Sequence, residues 1–259
     1  MKRPLLSSAL LLTAVGGLFL LINSMQGCRP NTTTQAVVGG DAAARTYVKP
    51  GSYDEFYNFV SGGFSGQLSV YGLPSGRMLR NIPVFSVNPE SGYGYSEETK
   101  PMLTTTHGFI PWDDSHHPEL SQTDGIPDGK WCFINGNNTP RIALVDLGTF
   151  RTKSIIEIPN CAGNHSSPFT TPNSEYVISG TRFSIPMGTD AERDVPIESY
   201  RENFKGTVSF IHPEPETGKM SIAFQVITPG MNFDLSHTGK GVSDGWFFFS
   251  CYNSEQAYS

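Results

Sequence analysis

After the leader, apolar positions fall in short runs broken by Gly, Pro, Asn and Asp, and no stretch keeps a 3.6-residue apolar period long enough to predict a helix. The runs GQLSVYGL, KWCFING, RIALVDL, SIIEIP, EYVISGTRFSI, GTVSFI, SIAFQVI and GWFFFSCY are rich in β-branched and aromatic residues and read as strands. Their order repeats. A turn (Pro127-Asp128-Gly129, Pro172-Asn173-Ser174 or Ser243-Asp244-Gly245) precedes an aromatic strand, and strand–turn–strand units begin at Leu68, Ile142 and Val208. These starts are spaced more widely than the about 40–50 residues of a compact propeller blade. Long loops are therefore expected between units, and loops of that length in a compact domain are usually functional. The expected class is all-β. A β-propeller of about three to four blades accounts for the recurring turns better than a generic sandwich does, but a closed propeller needs at least four blades. The last residues, CYNSEQAYS, run from an aromatic strand into a loop, so the pattern is expected to be part of a larger ring.

The start of the chain changes the picture by fixing a compartment. Lys2 and Arg3 precede an apolar run from Leu5 to Ile22, and polar, Thr-rich sequence follows. That is the layout of a secretory signal, with an uncleaved membrane anchor as the alternative, since a spanning helix needs about 20 apolar residues. Lys2-Arg3 is not a twin-arginine signal, which favours the general secretory route. Cys28 follows Ser24-Met25-Gln26-Gly27, a relaxed version of a bacterial lipoprotein cleavage box, and a lipid there would tether the chain without making it span the bilayer. The organisation expected is a signal or lipoprotein leader over 1–28, a flexible linker over 29–46 and a β domain over 47–259. The expected location is the periplasm, with membrane tethering if Cys28 is lipidated.

Composition narrows the chemistry. The formal net charge of −6 argues against nucleic acid, whose phosphates require a basic footprint. Apart from Cys28, the cysteines are Cys132, Cys161 and Cys251, odd in number and without CxxC spacing, so neither a zinc ribbon nor a thioredoxin motif is present. One disulfide among them is allowed in an exported protein, and spacing does not select the pair.

The candidate chemistry lies in histidines. His116 and His117 sit together in DDSHHPELSQTDG, and His165 follows in CAGNHSSP. Imidazole suits copper, zinc, iron or nickel. Successive side chains of a strand point to opposite faces, so an irregular loop is expected for the pair, splaying the two rings toward neighbouring metals of a cluster. A solvated His-His dipeptide is the plain alternative. Asp113, Asp114 and Asp124 are either acceptors that would orient imidazoles or ordinary solvated loop carboxylates.

Four stretches, taken together, resemble nitrous oxide reductase: FYNFVSGGFSGQLSVYGLPSGRMLRNIPVF, DSHHPELSQTDGIPDGKWCFINGNNTPRIALVDL, IPNCAGNH and SDGWFFFSCYNSE. The resemblance runs from about Tyr47 to Glu255 and is to the N-terminal part of the family, in the branch with a general-secretion leader. It implies a seven-bladed propeller carrying a copper–sulfide cluster held by seven histidines. It also implies a cupredoxin domain with a dinuclear copper centre, expected beyond Ser259. By the same resemblance, His116, His117 and His165 are cluster ligands, and Tyr252 and Glu255 are two ligands of a calcium site. His107, His212 and His237 match no ligand position and are expected to be surface or turn residues. The implied reaction reduces N2O to N2 and water, the last step of denitrification. The implied partners are nitrous oxide, a small electron-transfer protein as donor, and a second copy in a homodimer when the chain is full length. A truncated piece is expected to be inactive alone, and a non-catalytic exported module that binds metal or a partner is the competing reading.

Overall fold

The computed structural model describes residues 41–184, 203–229 and 232–251. The expected leader, Cys28, Tyr252 and Glu255 lie outside the described residues. The chain divides into a unit of residues 1–47 and a unit of residues 48–259. In the first, Ala42–Thr46 forms a one-turn helix at the end of the stretch expected to be a linker. Asp41 caps it, its Oδ1 accepting the Ala44 N–H at 3.2 Å.

The second unit is all-β, as the runs of apolar residues imply. A three-stranded sheet is formed by β1 (Phe56–Ser61), β2 (Gln67–Leu73) and β3 (Met78–Pro83). A small hairpin, β4 (Thr104–Thr105) and β5 (Gly108–Phe109), precedes a four-stranded sheet of β6 (Ser115–Thr123), β7 (Ile126–Gly136), β8 (Arg141–Asp146) and β9 (Arg151–Glu157). A second four-stranded sheet contains β10 (Ser166–Thr170), β11 (Val177–Gly180), β12 (Lys205–Pro213) and β13 (Met220–Pro229), and β14 (Phe233–Thr238) pairs with β15 (Phe247–Cys251). Every pairing is antiparallel between strands consecutive in sequence, and each described sheet is open.

The sheets pack face to face, which explains the continuous apolar runs. Strands buried on both faces lose the alternation of a half-exposed strand. On β7 and β8, Cys132, Ile134, Ala143 and Val145 pack against Leu68, Val70 and Ile82 of the first sheet, while Phe133, Ile142 and Leu144 face Val177 and Ile211 of the next. Phe169, Ile178 and Phe210 then meet Phe233, Phe247 and Phe249 in a third core. Each fully buried side chain of this kind contributes about 1.5–3 kcal/mol. The first strands of successive sheets are neighbours: β6 lies beside both β1 and β10, and β10 lies beside β14.

Two sequence expectations shift. The turn expected at Pro127-Asp128-Gly129 lies earlier, at Asp124-Gly125, where φ is +52° and +76° and a two-residue loop joins β6 to β7. Two consecutive positive-φ residues are what a tight hairpin with native strand twist requires. The starts at Leu68, Ile142 and Val208 are not equivalent either, because β2 is second in its sheet whereas β8 and β12 are third.

Asp54, just before β1, fastens the β2–β3 turn. Its carboxylate accepts from the Ser75 N–H (2.9 Å), the Ser75 hydroxyl (2.9 Å) and Arg77 Nη2 (2.9 Å). Gly72 makes room, since a Cβ there would overlap that carboxylate. Burial pushes the Asp54 carboxyl up, but the Ser75 and Arg77 bonds outweigh it and hold the group below its ordinary value. A depressed carboxyl adds stability above its unfolded pKa and loses it as pH falls through the folded one. Thermal melting from pH 7 to pH 3 should therefore fall below about pH 4, and Asp54→Asn should flatten that acid limb. An acid limb unchanged in the variant would remove Asp54 as its source.

Cys132, Cys161 and Cys251 are all free thiols. Burial pushes Cys161 up to about 12 and also raises Cys132, so both are protonated and enclosed at neutral pH, whereas Cys251 is exposed. The thiolate is the reactive form. Of these three, Cys251 should react with an aromatic disulfide reagent before denaturant is added, and the other two only after it.

Candidate metal centre

His116 and His117 lie on a strand, not in the loop expected for them. The strand is bulged where they sit. Ser115 pairs with Gly136 and Pro118 with Ile134, so β6 places two residues, His116 and His117, opposite the single residue Asn135 of β7. A bulge of this kind bends the strand and re-aims its side chains, which lifts the alternation that would otherwise send adjacent imidazoles to opposite faces. The His117 N–H donates to Asn135 Oδ1 at 2.8 Å. The two rings stand edge to face, centroids 4.5 Å apart.

His165 comes from the neighbouring sheet, immediately before β10. Its approach is fixed by Gly163, whose carbonyl accepts from the N–H groups of Arg182 and Phe183 at 2.9 and 3.1 Å. Because β6 and β10 run side by side, the His165 ring arrives 4.4 Å from the His116 ring and 5.0 Å from the His117 ring. One nitrogen from each of the three histidines lies within 4.8 Å of the other two. Two nitrogens bonded to one metal at about 2 Å are separated by at most about 4 Å, so small side-chain rotations seat a single ion, and the spacing as it stands suits adjacent metals. An all-imidazole set of this kind fits copper.

Carboxylates surround the centre unevenly. Asp114 is buried, with Oδ2 3.8 Å from His116 Nδ1, and it anchors the 137 loop, its backbone carbonyl accepting from the Asn137 N–H (2.8 Å) and its Oδ2 from Asn137 Nδ2 (3.2 Å). A modest rotation of His116, one-third exposed, would close that gap into the carboxylate contact typical of metal-bound imidazoles. Asp113 faces away, toward Arg141, Thr139 and Asn138. Asp124 occupies the β6–β7 turn, where its N–H donates to Asn173 Oδ1 at 2.8 Å. Of the three acidic residues singled out in the sequence, only Asp114 stands beside an imidazole.

The remaining histidines stay apart from the centre, as expected. His107 is exposed beside the β4–β5 turn, His212 on β12 contacts the Glu175 carbonyl at 3.1 Å, and His237 on β14 stacks on Phe169. The sequence reading passed over two buried residues behind the ligands, Asn135 and Asn164. Nothing in composition distinguishes them from ordinary strand-end and turn asparagines, and only the bulge register brings Asn135 opposite the histidine pair.

The fold and the centre together define an all-β protein in which two adjacent sheets bring together three imidazoles that could hold a metal ion. Comparison with known proteins carries this further. The chain is similar to the nitrous-oxide reductase of Pseudomonas fluorescens, 35% identical over 226 residues that cover 86% of this chain and 33% of that protein. It is likewise similar to the nitrous-oxide reductase of Stutzerimonas stutzeri (32% identical, 95% of this chain and 37% of that protein) and to that of Cupriavidus necator (32%, 77% and 31%). The resemblance read from the sequence motifs is thus present along most of the chain, and the chain spans about a third of the length of these relatives. No family model matches the chain. Among solved structures it overlays on hydrazine synthase of Kuenenia stuttgartiensis with a TM-score of 0.42, 12% identity, and coverage of 70% of this chain and 37% of that one, an overlap too slight to bear on fold or function.

Proposed function

We propose that this chain is part of a copper-dependent nitrous oxide reductase, which converts N2O, two protons and two electrons to N2 and water. The observation that carries this reading is the convergence of His116, His117 and His165 within 4.8 Å from two neighbouring sheets, in a chain similar to nitrous-oxide reductases along most of its length. The side-by-side arrangement of β1, β6, β10 and β14 supports a further reading of the sheets as successive blades of a partial propeller, with His116 and His117 on one inner strand and His165 at the start of the next.

The three imidazoles would hold copper as part of a larger histidine cage that includes sulfide. Bound copper would supply the electrons and the Lewis acidity that an inert, weakly binding gas requires. The protein's part is to fix the cage. The bulge in β6 presents two ligands together, β10 brings the third, and Asp114 stands ready to orient His116. The chain provides three of the seven imidazoles implied, so on its own it is expected to show no turnover. Calcium at Tyr252 and Glu255, a periplasmic location with a lipid at Cys28, a small electron-transfer donor and homodimer formation belong to the same proposal.

The complete gene product, purified without oxygen from copper-replete cells, should contain several coppers per chain and consume N2O with dithionite. A folded protein that takes up copper normally yet consumes no N2O would leave the metal-binding module as the better account.

A further inference from the structure

The two ligand-bearing segments belong to different sheets, and one buried side chain reaches both. Asn135 is fully buried on β7, opposite the bulge. Its Oδ1 accepts the backbone N–H of His117 at 2.8 Å, and its Nδ2 donates to the backbone carbonyl of Asn164 at 3.2 Å. Asn164 immediately precedes His165. One amide therefore ties the main chain at His117 to the main chain one residue before His165.

The second half of this bracket is Asn164 itself, also fully buried. In the orientation that satisfies both ends of its amide, Nδ2 donates to the carbonyls of Gly136 (3.1 Å) and Thr139 (3.2 Å), and Oδ1 accepts from the Ser179 hydroxyl at 3.2 Å. The loop after β7 and strand β11 are thereby pinned to the His165 segment. Buried amides with each end matched rigidify the groups they join, and a mismatched end is costly.

We propose that Asn135 is a positioning residue of the metal centre: its side-chain amide sets the distance between the β6 bulge and the His165 segment, and so the spacing of the three imidazoles. This rests on the reading of those imidazoles as copper ligands. Farther along, the two sheets stay joined by Thr170 Oγ1 to the Leu120 carbonyl (3.3 Å) and by Ser174 with Gln122, so loss of the bracket loosens the ligand-bearing ends alone, and copper would meet a looser and misplaced cage. Supporting contacts around metal ligands typically govern affinity by about 10–100-fold, and a contact made to the ligands' main chain acts in the same way, by restricting where the rings sit.

The experiment uses the complete gene product and three variants. Asn135→Asp keeps an oxygen for the His117 N–H but replaces the donor facing the Asn164 carbonyl with a second acceptor, so it breaks one arm selectively. Asn135→Ala removes both arms, and His117→Ala tests the copper reading itself. Each protein is checked by circular dichroism and melting, then titrated with Cu(I) against a chromophoric chelator, and its visible absorption is recorded per folded molecule. The expected result for Asn135→Asp is a native fold with Cu(I) affinity lowered on the order of tenfold and displaced absorption bands. Asn135→Ala should be affected at least as much. If both Asn135 variants match the parent in affinity and absorption while His117→Ala loses copper, the positioning role is overturned and the copper reading stands. If His117→Ala retains full copper, the copper reading fails first. Collapse of the fold in both Asn135 variants would also overturn the proposal, assigning Asn135 to the scaffold alone.

Discussion

Replacement of His117 with alanine in the complete gene product is expected to abolish N2O consumption, while a copper centre in any separate cupredoxin domain stays intact. His117 forms one corner of a triangle of imidazoles, with ring centroids 4.5 Å from His116 and 5.0 Å from His165, and its main chain is fixed by Asn135. Removing its ring takes one of three donors from the set, and no further histidine among the described residues belongs to it. The loss in copper affinity should exceed the about 10–100-fold that follows loss of a supporting contact. A domain that folds around its own ligands does not share this cage and should keep its metal. Copper content, visible absorption and dithionite-driven N2O consumption, compared with the parent, read the result. Near-parent turnover with full copper would show that His117 is not a ligand.

The strands that were legible in the sequence and those that were not differ in a physical way. β7, β8, β12 and β13 were plain because their residues are buried on both faces or rich in β-branched and aromatic types, giving runs such as IALVD and SIAFQVI. β6, β10 and β14 were missed, and each is the first strand of its sheet. Their sequences, SHHPELSQT, SSPFT and FDLSHT, carry Ser, Thr, Pro and His and hold at most two apolar residues apart from Pro. Two of these strands position the candidate ligands, so the polarity that suits them to the site is what made them read as loop. The residues of the centre were nonetheless legible, because His116, His117 and His165 lie in motifs that resemble a known family. The bulge that makes an adjacent pair usable was not, since it depends on the register of β6 against β7. Asn135 and Asn164 were hidden for the same reason: their roles come from which main-chain groups the register places within reach.

Next to the candidate ligand strand, Asp113→Ala should produce the largest loss of stability. Asp113 and Arg141 are buried together, 0% and 1% exposed, with Arg141 Nη2 3.5 Å from Asp113 Oδ2. Burial works against the Arg141 charge and lowers its pKa, and Asp113 is the main group opposing that shift. The same carboxylate accepts from the N–H groups of Asp114 (2.7 Å) and Asn138 (3.0 Å), from Asn138 Nδ2 (3.1 Å) and from the Thr139 hydroxyl. Gly136 leaves it room, because a Cβ there would lie 2.5 Å from Oδ2. Truncating one partner of a buried ion pair costs about 3–5 kcal/mol, since the other charge is left uncompensated, whereas replacing both partners with apolar groups is often near neutral. Arg141→Met placed on Asp113→Ala should therefore recover part of the loss, although the orphaned N–H groups of Asp114 and Asn138 would remain. Amide hydrogen exchange in β7 and the 136–141 loop is the appropriate readout, because a single unfolding free energy is poorly defined for a multidomain protein. The opening free energy there should fall by about 3–5 kcal/mol in Asp113→Ala and by less in the double variant. Copper affinity should fall with it, because Asp114 and Asn137 join this loop to the His116 strand. Parent-like exchange protection in Asp113→Ala would show that Arg141 finds another counter-charge and that the loop does not depend on this pair.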